Sequence, residues 1–596
     1  MLAEKDLKEI TAGFGNLEIL QAADSHTKES GQSLCKTLET QLLSDDLNAR
    51  KSACEVMLEL LNQGDEEMLE QRRLLVLQDS PLTFIPLILP LISVITDTAS
   101  HLLVLIATYG RSREVIMALS EALQHIIDRA EGFVVSDGEG EDLQEKTEPS
   151  LESLWAEWRA VLTCLSKAIS RLPNARSTPT LLSLCEVLSS SLISLGPEAH
   201  RYPTWTCLSA LNQFVLKAWE WVQGTSDKGG EQSSLLSNLL FEGVTLLGSG
   251  LKASITEWWF LATFPKYAAG PSLVETLDNS DPNGEAKAGQ QELNISRKLL
   301  PSFSFIDRII YSSNLSTYST FASFNILAVT IGEGKLNENL PDPVPRSIIG
   351  DMMPVLCAAL SGTSVDAGVA WLWWLVNDAT KRKRDGNQNI DVSYDNVAML
   401  VELLIPLTVQ HSSRIMRLAT LKLIGATISA LDGLDQVMAF KQVLEPENPF
   451  DTVRIECLTV LREVTASSSD ILSLQILDHL HPVLFTRFNT ESQDNGFNLS
   501  PLKLPTSPYI DWWTGVAQYV WFLSTFDKSD ATGIRSKYRN EIVEWIEDVY
   551  RKLEQVKRTR DTSQVDPIQN LSEGRLDFVL ARLEDALDRS KSALTA

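Results

Sequence analysis

Apolar residues in this chain recur at intervals of three and four from near one end to the other, and that rhythm restricts it to helices packed on helices. Between 49 and 61, Ala53, Val56, Met57, Leu60 and Leu61 stand at i, i+3, i+4, i+7 and i+8, which is one apolar stripe on a helix. Comparable stripes follow in 112–127, 151–172, 181–195, 205–222, 235–251, 301–331, 351–360, 397–431, 451–465 and 471–488. Convincing strands, meaning short β-branched runs that alternate with polar residues between turn pairs, are absent. A helix with a single apolar stripe must cover it, and brief polar breaks bring its sequence neighbours within reach.

One repeat can be counted. Arg414, Ile415, Leu418, Leu421 and Ile424 match Arg454, Ile455, Leu458, Leu461 and Val464 in kind at a constant offset of 40. HEAT and armadillo helix pairs repeat every 40–47 residues or so. Arg50, Cys54, Met57 and Leu61 echo the same helix early in the chain. Each such pair buries one face only when its neighbour stacks on it, so several must be chained. The expected fold is therefore all-α, a HEAT/armadillo-like α-solenoid of stacked helix pairs with several long polar loops; an irregular helical bundle is the alternative.

The expected breaks are the acidic stretch 131–150, the Gly-, Asn- and Asp-rich stretch 268–297, the proline-bearing 332–346, and 489–508 and 558–574. Their composition is too polar to pack a core. They read as insertions at repeat corners, with one boundary near 490–510. N-terminal helical repeats are expected over 1–400 and C-terminal repeats over 401–596, the second being the region expected to bind a partner.

Charge narrows the partners. Lys plus Arg number 52 and Asp plus Glu 78, a formal charge of −26. A surface this acidic repels phosphates and anionic lipid, so no nucleic acid and no membrane are expected as partners. Met1 to Ile10 carries five charged residues where a signal peptide needs an apolar run. The most apolar stretch, Pro81 to Ile95, is interrupted by Pro86 and Pro90. It is too short to span a bilayer and reads as a kinked buried helix pair. Seven scattered cysteines fit free thiols in a reducing compartment, hence a cytoplasmic location with nuclear access left open.

A search for catalytic groups comes back nearly empty. Gly332-Glu333-Gly334-Lys335 lacks the spacing and the following Ser or Thr of a phosphate loop and reads as an ordinary loop. His479 and His481 stand two apart, which on a helix turns them to different faces. Nothing converges as a catalytic cleft requires, so no enzyme activity, cofactor or metal is expected. The basic run Lys381-Arg382-Lys383-Arg384 reads either as a nuclear localisation signal or as a basic helix C-terminus.

Tryptophan is frequent, at 14 residues, clustered at Trp258-Trp259, around Trp371 to Trp374, and at Trp512, Trp513 and Trp521. Large aromatics fill gaps between stacked helices; exposed, they anchor partners. The last cluster, following a long polar stretch, is the one most open to the second reading.

The run Arg575 to Asp585, with its core Val579-Leu580-Ala581-Arg582, resembles the last helix of the glomulin family. The stretches 414–431 and 440–464 resemble two consecutive helix pairs of that family. The family joins glomulin, the plant aberrant lateral root formation protein and the fungal YAP-binding proteins. The resemblance is clearest over 400–470 and 571–588 and diffuse over the first 400 residues. It implies a HEAT-like scaffold whose C-terminal part covers the RING-box subunit of a cullin–RING ubiquitin ligase, masking the surface that recruits the conjugating enzyme. Anchors expected for that contact are Trp512, Trp513, Trp521, Arg575 and Arg582; an intrahelical pair with Asp585 is the competing role for Arg582. The fungal branch implies two alternatives: an adaptor holding a stress transcription factor near its oxidant sensor, or a kinetochore-associated subunit. For the adaptor to relay oxidation itself, one of Cys35, Cys54, Cys164, Cys185, Cys207, Cys357 and Cys457 would have to be exposed and electropositive.

Overall fold

The computed structural model describes residues 28–595, apart from 64, 137–149, 174–176, 197–203, 224–229, 249, 252, 269–283, 301–304, 306–308, 310–317, 333–347, 385–392, 468–471, 486–507 and 563–569. Among the described residues every regular element is helical, and the fold is all-α. The chain divides into two compact units, one of Met1–Ser254 with Asp281–Val329 and one of Ile255–Ser280 with Thr330–Ala596. These units are drawn by packing, whereas the division at 400/401 concerned partner binding, on which they do not bear.

The first unit runs α1 (Lys28–Leu42), α2 (Leu47–Asn62), α3 (Glu66–Leu77), α4 (Pro81–Ile88), α5 (Thr96–Tyr109), α6 (Ser112–Ser136), α7 (Leu151–Ile169), α8 (Ser177–Leu195), α9 (Thr204–Val222) and α10 (Glu231–Gly248). Its helices touch next-but-one neighbours: α4 packs on α6, α6 on α8 and α8 on α10, while α5 packs on α7 and α7 on α9. Cross-contacts join α6 to α7 and α9 to α10. Four of the five stripe residues read from the sequence, Ala53, Met57, Leu60 and Leu61, are buried on α2 together with Cys54, while Val56 at the edge of that face is half-buried. Arg50 lies beside this face and donates to the Leu87 carbonyl at 3.1 Å. Pro81–Ile95 is a helix followed by a 3-10 turn, Leu89–Ser93, with Phe84, Ile85, Ile88, Leu91 and Ile92 buried. Pro90 has no N–H to continue the α ladder, which accounts for the change of helix type there. By length and composition α8 could cross a membrane, but Leu181, Leu184, Leu188, Leu192 and Leu195 are buried inside this unit.

The polar stretch 268–297 needs correcting. Residues 285–297 belong to α12 (Glu285–Leu299), with α11 being Ile255–Thr263. This helix buries Ala286, Gly289, Leu293, Ser296 and Leu299, a narrow stripe at helical spacing in which small residues and a serine accompany two leucines. It docks on α9 through a network: Asn212 donates from Nδ2 to the Glu292 carbonyl (3.0 Å) and carboxylate (2.9 Å), and Ser296 donates from Oγ to Asn212 Oδ1 (2.9 Å). Asn212 is buried, so Asn212→Ala, which removes the side-chain bonds joining α9 to α12, is expected to cost about 1–3 kcal/mol. Amide hydrogen exchange should rise first in α9 and α12; unchanged protection there would rule this out.

Two other breaks are shorter than expected. Helix α6 continues to Ser136, six residues into the acidic stretch 131–150. The break 558–574 is helical at both ends, because α22 (Arg539–Thr562) and α23 (Asn570–Thr595) reach into it. Of the stretch 489–508, all but Pro508 lies outside the described residues, as does Glu333-Gly334-Lys335.

The second unit holds α11 and, after α13 (Tyr318–Gly332), α14 (Ile348–Ala358), α15 (Val365–Arg384), α16 (Tyr394–Gln410), α17 (Arg414–Ser429), α18 (Gly433–Leu444), α19 (Asp451–Ser467), α20 (Leu474–Leu484), α21 (Pro508–Phe526), α22 and α23. One series of contacts runs α15, α17, α19, α21, α23, and a parallel one α16, α18, α20. Ser393 and Ser413 cap α16 and α17, each accepting a backbone N–H three residues on at 3.3 Å. Asp366 ties in α11, its carboxylate accepting the N–H groups of Ile255 (2.7 Å) and Thr256 (2.9 Å). Lys381–Arg384 forms the last turn of α15.

Helices α17 and α19 are the two copies of the counted repeat and pack side by side. Their buried faces correspond at an offset of 41, one more than the match in residue type. Met416, Ala419, Thr420, Leu423 and Ile424 are buried, and so are Cys457, Val460, Leu461, Val464 and Thr465. Apolar residues at i, i+3 and i+4 match themselves almost as well after a one-residue slip, so composition alone does not fix the register.

Candidate partner-binding surface

Helix α21 carries the tryptophans expected to bind. It begins with Pro508 at its first position and Asp511 in its first turn, both favourable at a helix N-terminus. Its neighbours α19 and α23 bury Ile510, Trp513, Val516, Ala517, Tyr519, Val520 and Leu523. Gly515 admits Leu458 of α19 so closely that a Cβ there would lie 2.9 Å from the leucine Cδ1.

The three tryptophans part company. Trp513 is only 2% exposed and belongs to the core, so it is not a surface anchor. Trp512 is half-buried beneath Arg454, whose guanidinium carbon lies 4.7 Å from the ring centroid. That arginine is held by the Leu444 carbonyl (3.1 Å) and Asp451 (3.0 Å), so the ring already has a cationic neighbour. Trp521 is exposed. Beside it, half-buried Phe522 stacks on exposed Phe526, their centroids 5.0 Å apart. Neither phenylalanine was singled out from the sequence. The signal was there: α21 is apolar almost all round, and a helix packed on two sides cannot bury every side chain.

The last helix shows the same partition. In α23, Leu580, Leu583, Ala586, Leu587 and Leu594 are buried, and buried Ser590 donates to the Ala517 carbonyl of α21 at 2.5 Å. Helix α22 runs antiparallel to it, fastened by Tyr550 to Asp588, Lys557 to Glu584, and Lys591 to Glu547 at 3.3 Å. On the open side Phe578 is 69% exposed. Arg582 is also exposed and has no ion-pair partner among the described residues. Asp585, its expected intrahelical partner, pairs instead with Arg589 at 3.0 Å. Arg575 lies in α23, with its side chain outside the described residues.

A polar turn sets where α21 ends. Buried Asp527 accepts the N–H groups of Ala531 (3.0 Å) and Thr532 (2.7 Å) and the hydroxyls of Thr532 (2.8 Å) and Ser529 (3.0 Å). Burial by itself would raise this carboxyl, but the hydrogen bonds from Thr532, Ala531 and Ser529 outweigh it and hold the group below its ordinary range. A carboxyl lowered in the folded state adds stability above its unfolded pKa, about 3.9, and loses it as pH falls through the lower folded value. Asp527→Asn is therefore expected to abolish that part of the acid-side loss. Denaturation midpoints measured between neutral and acidic pH should fall less steeply in the variant; identical slopes would refute the assignment.

The start of α22 is fixed separately. Asp478 of α20 accepts from Lys537 Nζ (2.7 Å) and the Tyr538 hydroxyl. The His481 ring stacks on Tyr538 with centroids 4.9 Å apart, and its Nε2 lies 3.1 Å from Glu541. His481 is thus engaged in packing. Among the described residues no three His, Cys, Asp or Glu side chains gather as metal ligands.

Cys54, Cys164, Cys185, Cys207 and Cys457 are buried; Cys35 and Cys357 are partly exposed. Burial pushes Cys35 and Cys54 up to about 11, and Cys164, Cys185, Cys207 and Cys457 up to about 12. It also raises Cys357, whose Sγ lies 3.4 Å from Met399 Sδ. Thiols raised in this way are poor nucleophiles toward oxidants, because the thiolate is the reactive form.

Fold and surface together define a class: an all-helical protein whose C-terminal helices present aromatic and cationic side chains to solvent. No protein-family model matches the chain, and no curated protein is significantly similar to it.

Proposed function

We propose that this chain is a non-enzymatic scaffold, an α-solenoid of HEAT-like helix pairs whose C-terminal region captures the RING-box subunit of a cullin–RING ubiquitin ligase and excludes the conjugating enzyme by overlap. Support for the architecture comes from the next-but-one packing of helices in each unit, the contact pattern of stacked pairs. The observation that carries the binding site is the solvent-facing group Trp521, Phe522 and Phe526 on α21. Phe578 and Arg582 on α23 add a second exposed group. Trp and Arg dominate interface energetics when they become buried. The choice of partner rests on the resemblance of residues 400–470 and 571–588 to the glomulin family. Steric masking requires only a specific interface of roughly 1,200–2,000 Å².

The test uses purified full-length chain and a purified cullin–RING-box complex. Binding and slower ubiquitin-chain formation are expected. Trp521→Ala and Arg582→Glu should each weaken capture about tenfold or more, the equivalent of 1.4 kcal/mol. Trp258→Ala, at an exposed position on α11, should leave capture unchanged. No capture with purified components would sink the ligase reading, while capture that ignores both α21 and α23 would sink the site.

A further inference from the structure

We draw no further inference here: the strongest candidate, the partly exposed apolar stripe of Leu403, Pro406 and Val409 along α16, is an unpartnered face, and nothing in the structure shows what covers it.

Discussion

Arg129→Ala is expected to destabilise the first unit by about 3–5 kcal/mol. Arg129 on α6 reaches across to Glu157 on α7 with both terminal nitrogens, Nη1 lying 3.2 Å from Oε1 and Nη2 meeting Oε2. Glu157 is only 1% exposed, and Ser153 adds a weak bond to Oε1 at 3.4 Å. Removing the arginine, itself partly exposed, leaves Glu157 in a largely buried site without its cationic partner, and the cost comes mainly from that unpaired charge rather than from the attraction lost. The prediction is therefore asymmetric. A double replacement, Arg129→Met with Glu157→Leu, should recover most of the loss, because two apolar side chains can fill a similar volume without any charge to desolvate. Chemical denaturation of the wild type, the single variant and the double variant checks this. A double variant as unstable as Arg129→Ala would mean that the pair contributes by shape, and the account given would be wrong.

Gly425→Ala should also destabilise, although alanine is the better helix former by about 1 kcal/mol. Gly425 lies in α17 facing α19, and a Cβ at that position would sit 2.2 Å from Val460 Cγ1. Valine is branched at Cβ and stiff at χ1, so it cannot swing aside. Overpacking of this kind costs typically 1–3 kcal/mol. The helices would have to separate to relieve the clash, loosening the partly exposed Lys422–Glu463 pair, 3.1 Å apart across the same contact. Val460→Ala alone should destabilise by leaving a cavity, yet combined with Gly425→Ala it should restore stability. The coupling energy from a double-mutant cycle is expected to favour the pair by about 1 kcal/mol or more. Additive losses would show that α17 and α19 adjust their spacing freely.

How much of this was legible beforehand varies by element. The α2 stripe could be read nearly whole, with only Val56 falling at the edge of the buried face, because a helix buried on one face advertises that face every third and fourth position. Helix α12 could not. Its buried face has only Leu293 and Leu299 as large apolar residues, set among Ala286, Gly289 and Ser296. In a stretch rich in Gly, Asn and Asp so thin a stripe reads as a loop until Asn212 across from it is known. Trp513 and Trp521 lie eight residues apart on one helix and looked equivalent, yet one is core and the other faces solvent. Their fates depend on where α19 and α23 press against α21. The Arg582–Asp585 pair, the competing role for Arg582, did not form for a similar reason, since Arg589 was a competitor for Asp585 one turn further along.

By itself the sequence determined the all-helical class, the apolar faces that must be covered and the near-40-residue spacing of two matching helices. These follow from local periodicity, which each segment carries in its own side chains. The tertiary structure alone decided the 41-residue register of the buried faces, the close approach at Gly425 and the division of the tryptophans between core and surface. Those depend on the angle and distance at which neighbouring helices meet, quantities set jointly by two segments and written in neither one.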